Sequence, residues 1–351
     1  MLIILLIVIL SLIVVTYFSE NLPKQYHKFL FWYCMVIFVI ISMTRPGSYV
    51  SDYLNYEKYF YSFDEKKTKL IVEATFLWIS EFVYKHGGTL RIVIYIYALI
   101  SIPLKLYSIR KLTNETIFLL SMIVYASNYY MLHDCEQIRL AAGMAFGLYA
   151  IYLKVEDKSK IMIVFMLLIG ISFHHTISAL ILPLLICPKE MGWKWKTAMA
   201  LIIPISIGFW ILNINPIISL PIPYIKERIL LYQIAISEGK HPDVRVINLM
   251  VLIRIALFYY ILYYYDNIKQ NLKGLPILLL CDSMSIASWF ALSEMSVIAV
   301  RISQLYGFIE IILFASIHYT IKPIWVGKTF TICIAIYLFI QNYIYNQFGF
   351  R

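Results

Sequence analysis

Residues 133–153 read HDCEQIRLAAGMAFGLYAIYL, and the fold is read outward from them. The stretch is an apolar helix with an arginine near its polar start. Arg139, Gly143 and Gly147 recur at i, i+4 and i+8, so they share one face, flanked by Ala142 and Phe146. Small residues at that spacing let a neighbouring backbone approach, as in the small-xxx-small helices of membranes. Arg139 is therefore expected at the rim of a tightly packed helix junction and not on a lipid face. A charge in that position is costly and marks a functional candidate. The competing reading is an arginine that snorkels to the headgroups.

The rest of the chain has the same character. Of 351 residues 61% are hydrophobic and 14% charged, and the mean hydropathy is +0.77. Many apolar runs reach roughly membrane-spanning length and none alternates with period two, which excludes a barrel. The sequence specifies an all-α polytopic integral membrane protein, a single membrane domain over 1–351 with about 10–12 transmembrane helices. The helices are expected at 2–18, 29–44, 89–108, 116–132, 137–153, 161–173, 176–187, 197–213, 246–265, 275–292, 297–319 and 329–346. The first run lacks a basic leader and a small-residue cleavage site, so it reads as a membrane helix and not a signal peptide.

Charge settles the topology and, with it, whether 161–187 is one span or a hairpin tipped by His174-His175. With 19–28 in the cytoplasm and a hairpin at 161–187, the segments 105–115, 154–160, 188–196, 266–274 and 320–328 fall inside too. These six segments hold 15 Lys+Arg and 6 Asp+Glu, whereas the remainder holds 15 and 14. A single span would put three lysine-rich segments outside, so the positive-inside rule selects the hairpin. Its arms are short, about 18 Å each, which suits a re-entrant hairpin. The same rule accounts for the net charge of +10 without a nucleic-acid partner.

Lysine and arginine are distributed differently. Inside, only Arg110 is an arginine; Arg45, Arg91, Arg139, Arg228, Arg245, Arg254, Arg301 and Arg351 lie on the outer side or in the outer half of a span. Arginine grips phosphate or carboxylate with a planar fork. An outward cavity for a phosphorylated or acidic substrate explains the bias; pairing with outer acids such as Asp52, Asp134 or Glu294 is the alternative. Two long outer loops are expected, 45–88 and 214–245. In the first, Pro46 and Gly47 break the helix after Arg45. Asp52, Tyr53, Tyr56 and Phe60 follow at helical spacing, and 70–84 is amphipathic enough to lie in the interface. In the second, prolines precede a short helix, YIKERILLYQIAI, and a SEGKHPD turn.

Arg45, Asp52, Arg139, His174, His175 and Arg301 all come to the outer mouth in this topology. Arg139 and Arg301, each at the outer start of a helix, would make an anion clamp. The FHHTISAL tip offers an imidazole for proton transfer, or a histidine hydrogen-bonded at a turn. Within the spans, Asp282 is expected to pair with Arg254, with a proton path as the alternative. Cys34, Cys135, Cys187, Cys281 and Cys333 have neither disulfide nor metal-ligand spacing. No G-x-S-x-G, Walker A, H-E-x-x-H or D-x-D occurs, so no cofactor or metal is expected.

These residues resemble the EpsG/Wzy-type family of bacterial surface-polysaccharide polymerases. The resemblance rests on Arg45-Pro46-Gly47 with Asp52, Tyr53, Tyr56 and Phe60, on Gln137-Ile138-Arg139 before Leu140-Ala141, on His174/His175 with Thr176 and Ser178-Ala179, and on Arg301-Ile302. It implies a multi-pass glycosyltransferase of the bacterial inner membrane. The growing glycan would pass from undecaprenyl diphosphate to the non-reducing end of a lipid-linked repeat unit at the periplasmic face. In that scheme Arg139 and Arg301 hold the donor diphosphate, and Arg45, Tyr53, Gln137 or the loop around Asp52 binds diphosphate or sugar. His174 or His175, or else Asp52, takes the acceptor proton. Chain-length regulator and flippase proteins are the partners the resemblance implies. An O-antigen ligase and a flippase of lipid-linked oligosaccharide are the rival functions.

Overall fold

In the computed structural model, residues 2–19, 22–47, 52–216 and 245–345 are described. Most of the second long loop, with its expected helix and turn, lies outside them, as do Arg228 and Arg351. Every regular element among the described residues is helical. The helices are α1 Leu2–Phe18, α2 Lys24–Thr44, α3 Tyr53–Tyr61, α4 Lys66–Ile71, α5 Ala74–Lys85, α6 Leu90–Leu112, α7 Glu115–Asn128, α8 Ile138–Val155, α9 Lys160–Phe173, α10 Ile181–Ile186, α11 Trp193–Ile211, α12 Leu249–Tyr263, α13 Tyr265–Lys269, α14 Leu275–Ala291, α15 Ser296–Gly307, α16 Glu310–Ser316 and α17 Ile324–Phe339. Four helices are long and apolar enough to span a bilayer alone, and five spans result where the pair Ser296–Gly307 and Glu310–Tyr319, bent by 48°, is counted as one. Shorter apolar helices, α1, α9, α12 and α14 among them, complete the polytopic bundle.

Which helices occupy the centre follows from which are apolar all round. α7 is buried at every position from Ile117 to Asn128, and α14 and α16 are nearly so. By contrast α9 buries only Leu167, Gly170 and Phe173, leaving Ile161 and Leu168 to face lipid.

The hairpin at 161–187 is present. Lys189 at its far end meets Asp157 at its near end, 2.7 Å apart, and the Lys154 ammonium donates to the Leu184 carbonyl. The other lysine-rich segments gather at the same end. Lys196 pairs with Asp266 at 3.1 Å and Lys269 with Glu190 at 3.5 Å. His27 and Arg110 both face Glu115, at 3.9 and 3.6 Å. Tyr17 meets Thr329, and Tyr260 meets Thr320, each at 2.7 Å. Exposed pairs of this kind contribute little stability; their value here is geometric, since they place all six segments on one face of the bundle.

Lys105 departs from that pattern. It lies in α6 yet is fully buried, and its Nζ donates to Asp134 at 2.7 Å. Asp134 sits on a π-helical turn, Met131–Glu136, that separates α7 from α8 where a continuous helix to 132 was expected. Tyr125 Oη donates to the same carboxylate at 2.5 Å, and Ser101 also bonds to it. The Asp134 carbonyl accepts from Ser42 at 2.7 Å and from Arg45 at 2.9 Å. One residue thus ties α2, α6 and α7 to the turn that launches α8.

A second buried cluster corrects the expected Asp282–Arg254 pair. Arg254 Nε donates to Glu310 Oε1 at 2.5 Å, its other nitrogens reach Ser285 and Ser303, and Tyr129 Oη donates to Glu310 at 3.1 Å. Asp282 lies beside Glu310 and acts on Arg254 electrostatically without forming the ion pair. Gly307, at the bend between α15 and α16, has Ser285 Oγ and the Arg254 fork where a Cβ would stand, at 2.8 and 2.9 Å. The expected single helix 297–319 is bent there by 48°, with the polar cluster filling the space beside Gly307.

Candidate functional site

The glycine face of α8 does what its spacing implies. A Cβ on Gly143 would stand 2.7 Å from Ile177 Cγ1 and 3.0 Å from the Gly170 carbonyl, and one on Gly147 would collide with Leu180. Ile177 and Leu180 belong to a 3₁₀ turn, His175–Leu180, that begins the second arm of the hairpin. The bare face of α8 therefore seats the hairpin tip, and the tip carries the histidines. Phe173, stacked on Phe146 at 5.5 Å and edge-on to Tyr97 at 5.4 Å, fixes the first arm.

One helical turn before Gly143, Arg139 meets a partner that the sequence reading passed over. Its NH1 donates to Glu73, whose side chain is 6% exposed, against 18% for Arg139. Glu73 falls within the amphipathic stretch 70–84 and reads there as part of a polar face. In the fold, that stretch breaks into α4 and α5 around an extended Glu73 at φ −65° and ψ 146°. The break turns the carboxylate inward, and Thr75 Oγ1 holds the start of α5 against α9 by donating to the Ser172 carbonyl at 2.6 Å. The available signal was an acid at the head of an apolar helix, on the arginine-rich side of the chain. The rings of Tyr56, Tyr59 and Phe76 surround the Arg139 guanidinium at 5.6, 5.7 and 5.9 Å. Burial pushes the Tyr56 phenol up to about 12, so it stays protonated.

His174 closes the group. Its Nε2 lies 3.9 Å from Glu73 Oε1, and its Nδ1 accepts the Thr176 N–H at 3.2 Å. A neutral ring that accepts at Nδ1 carries its proton on Nε2, the nitrogen facing Glu73. Burial at the hairpin tip depresses the pKa of His174 to about 4; Glu73 opposes this, while Arg139, Arg301 and His175 add to it. Arg301 is thereby close enough to act electrostatically on the histidine. Its helix, α15, packs on the tip through Tyr306, which donates to the Ala179 carbonyl at 2.7 Å. Arg301 and His175 are exposed.

The structure thus brings Arg139 and His174 together around Glu73, with Arg301 and His175 at the open side. Asp52 heads α3 and acts electrostatically on Tyr56. Tyr53 lays its ring 2.8 Å from where a Cβ of Gly47 would be, which gives the Pro46-Gly47 break a packing role. Arg45 is only 3% exposed and bonds to the Asp134 carbonyl, so it lies in the wall beneath the mouth. Gln137 occupies the junction between the π-turn and α8. No group of three or more potential metal ligands occurs among the described residues.

Neither a curated protein nor a solved structure matches the chain. Family comparison does give a match, and it spans the hairpin, the Arg139 helix and Arg301 together: the EpsG family model covers residues 29–349, and the chain belongs to the EpsG family.

Proposed function

We propose that this protein is a polysaccharide polymerase, moving a growing glycan from undecaprenyl diphosphate to the non-reducing end of a lipid-linked repeat unit at the outer face of the bacterial inner membrane. Its EpsG membership supports a multi-pass membrane protein of the polysaccharide-polymerase type. The observation that carries the finer reading is Glu73, held between Arg139 and His174 beside an exposed Arg301. A donor diphosphate competes with Glu73 for Arg139 and gains Arg301 as a second cation. The acceptor hydroxyl attacks the anomeric carbon, the sugar–phosphate C–O bond breaks, and undecaprenyl diphosphate leaves with the electron pair. Positive charge from the two arginines stabilises the leaving group.

The same exchange frees a carboxylate beside the reacting atoms. Glu73 then accepts the proton of the acceptor hydroxyl, while the Nε2–H of His174, 3.9 Å from Glu73 Oε1, steadies the carboxylate electrostatically. This moves the proton acceptor from the histidines to the carboxylate beside His174, because His174 Nδ1 is already occupied by Thr176. The test is polymerisation of purified lipid-linked repeat units by reconstituted protein. Glu73→Gln and Arg139→Lys each lower the rate at least 100-fold. Full activity in Glu73→Gln with a dead His175→Gln would put the base on His175. Accumulation of long polymer on the carrier in a deletion strain would favour the ligase, and repeat units trapped inside would favour the flippase.

A further inference from the structure

Towards the lysine-rich end of the bundle, a groove of about 860 Å³ opens between α2 and α6. Its walls include Trp32, Leu99 and Pro103, and its rim carries Lys28, Arg110 and Lys111. The basic rim and the apolar wall are ordered along the helix. Leu99 to Lys111 spans about 18 Å at 1.5 Å per residue, close to one leaflet of a hydrocarbon core. Trp32 and Leu99 are 51% and 55% exposed, so no helix among the described residues covers the groove.

Two local features suit a lipid with a charged head. Pro103 sits inside α6 and has no N–H, so the Leu99 carbonyl receives no intrahelical bond from it. At the rim, Arg110 has its guanidinium 4.7 Å above the Phe31 ring and 3.6 Å from a half-exposed Glu115. Lys111 lies 5.5 Å above Tyr107. The aromatic rings orient both cations; Arg110 is half-buried and shared with Glu115, whereas Lys111 and Lys28 are exposed and carry no ion pair among the described residues. Basic clusters between transmembrane helices at this depth bind anionic headgroups.

We infer that the α2–α6 groove is a binding site for an anionic phospholipid, its acyl chain along Trp32, Leu99 and Pro103 and its phosphate on Lys28, Arg110 and Lys111. The site stands apart from the Glu73 group and does not depend on the reaction proposed there.

The full-length protein is reconstituted in nanodiscs of phosphatidylcholine with dibrominated phosphatidylglycerol or dibrominated phosphatidylcholine as quencher. The Trp32 contribution is isolated by difference against Trp32→Phe. The expected result is half-quenching at a several-fold lower mole fraction of the anionic lipid. Lys28→Gln and Lys111→Gln should each reduce that preference, by about fivefold where the full charge contributes. Equal quenching by the two lipids would overturn the inference, because it would mark ordinary annular contact. A preference that survives the double substitution would overturn it as well, by placing recognition elsewhere. Abolition of the preference by millimolar inorganic phosphate would show a phosphate site and not a lipid site.

Discussion

Replacing either member of the Glu73–Arg139 pair should have unequal consequences, and the inequality follows from what each leaves behind. In Arg139→Met the Glu73 carboxylate, 6% exposed, keeps only His174 at 3.9 Å. A buried charge stripped of its partner costs about 3–5 kcal/mol. In Glu73→Gln the guanidinium retains three aromatic rings within 6 Å, each worth about 0.5–1 kcal/mol or more when desolvated. That loss should be about 1–2 kcal/mol, because an amide still accepts a hydrogen bond. The double substitution removes the stranded charge, so it should be more stable than Arg139→Met alone. Thermal unfolding of the purified protein in one detergent, read for all three variants, gives the order wild type, Glu73→Gln, double, Arg139→Met. Equal midpoints for Arg139→Met and the double variant would refute the pairing. Phosphate buffers are avoided in this assay, since an anion at Arg139 would mask the difference.

Further outcomes follow from the same geometry. Lys105→Met should destabilise by about 3–5 kcal/mol by stranding Asp134, and Lys105→Met with Asp134→Leu should recover most of it in the same thermal assay. His174→Ala loses the acceptor for the Thr176 N–H and about 1 kcal/mol, which His174→Asn restores without restoring activity, because the shorter side chain ends before Glu73; an active Asn variant would remove Nε2 from the mechanism. The His174 pKa is depressed on folding, from about 6.5 to about 4, so the unfolded chain binds its proton first as the pH falls. Its contribution is therefore present above pH 6.5 and lost between about 6.5 and 4, a slope that His174→Asn should flatten. Gly147→Val drives its side chain into Leu180 and lifts the histidine tip, costing about 1–3 kcal/mol and lowering turnover more than a surface change of equal stability.

The helices were legible because bilayer thickness and charge asymmetry act on whole segments. The hairpin at 161–187 was read from the balance of Lys+Arg and Asp+Glu between the two faces, and Asp157 and Lys189 meet as that topology requires. The glycine face of α8 was legible for a related reason: an added Cβ has only one local consequence, a collision with whatever packs there. Partner choice was not legible. Arg139 faces several outer acids in sequence, and only the break between α4 and α5 decides that Glu73 is the one turned inward. Asp282 was the acid expected to receive Arg254, but Glu310, just past the bend after Gly307, takes it. Lys105 was counted among the charges of one face, although its long side chain is drawn inward by Asp134 from a different helix.

The arginines expected on the outer side divide into two physical kinds. Arg45, Arg139 and Arg254 are held by groups of the chain itself, whereas Arg301 is exposed. An anion entering the mouth can use Arg301 directly, but it reaches Arg139 only by displacing Glu73. A singly charged carboxylate offers Arg139 no more than Glu73 already does, and it lacks the protein's own positioning of that group. A diphosphate brings more negative charge and enough oxygens to engage both arginines at once. On the proposed reaction, this exchange discriminates between anions before any sugar is recognised, and it releases the proton acceptor only when a diphosphate has arrived. The pairing that makes Arg139 look structural is then what makes its release selective.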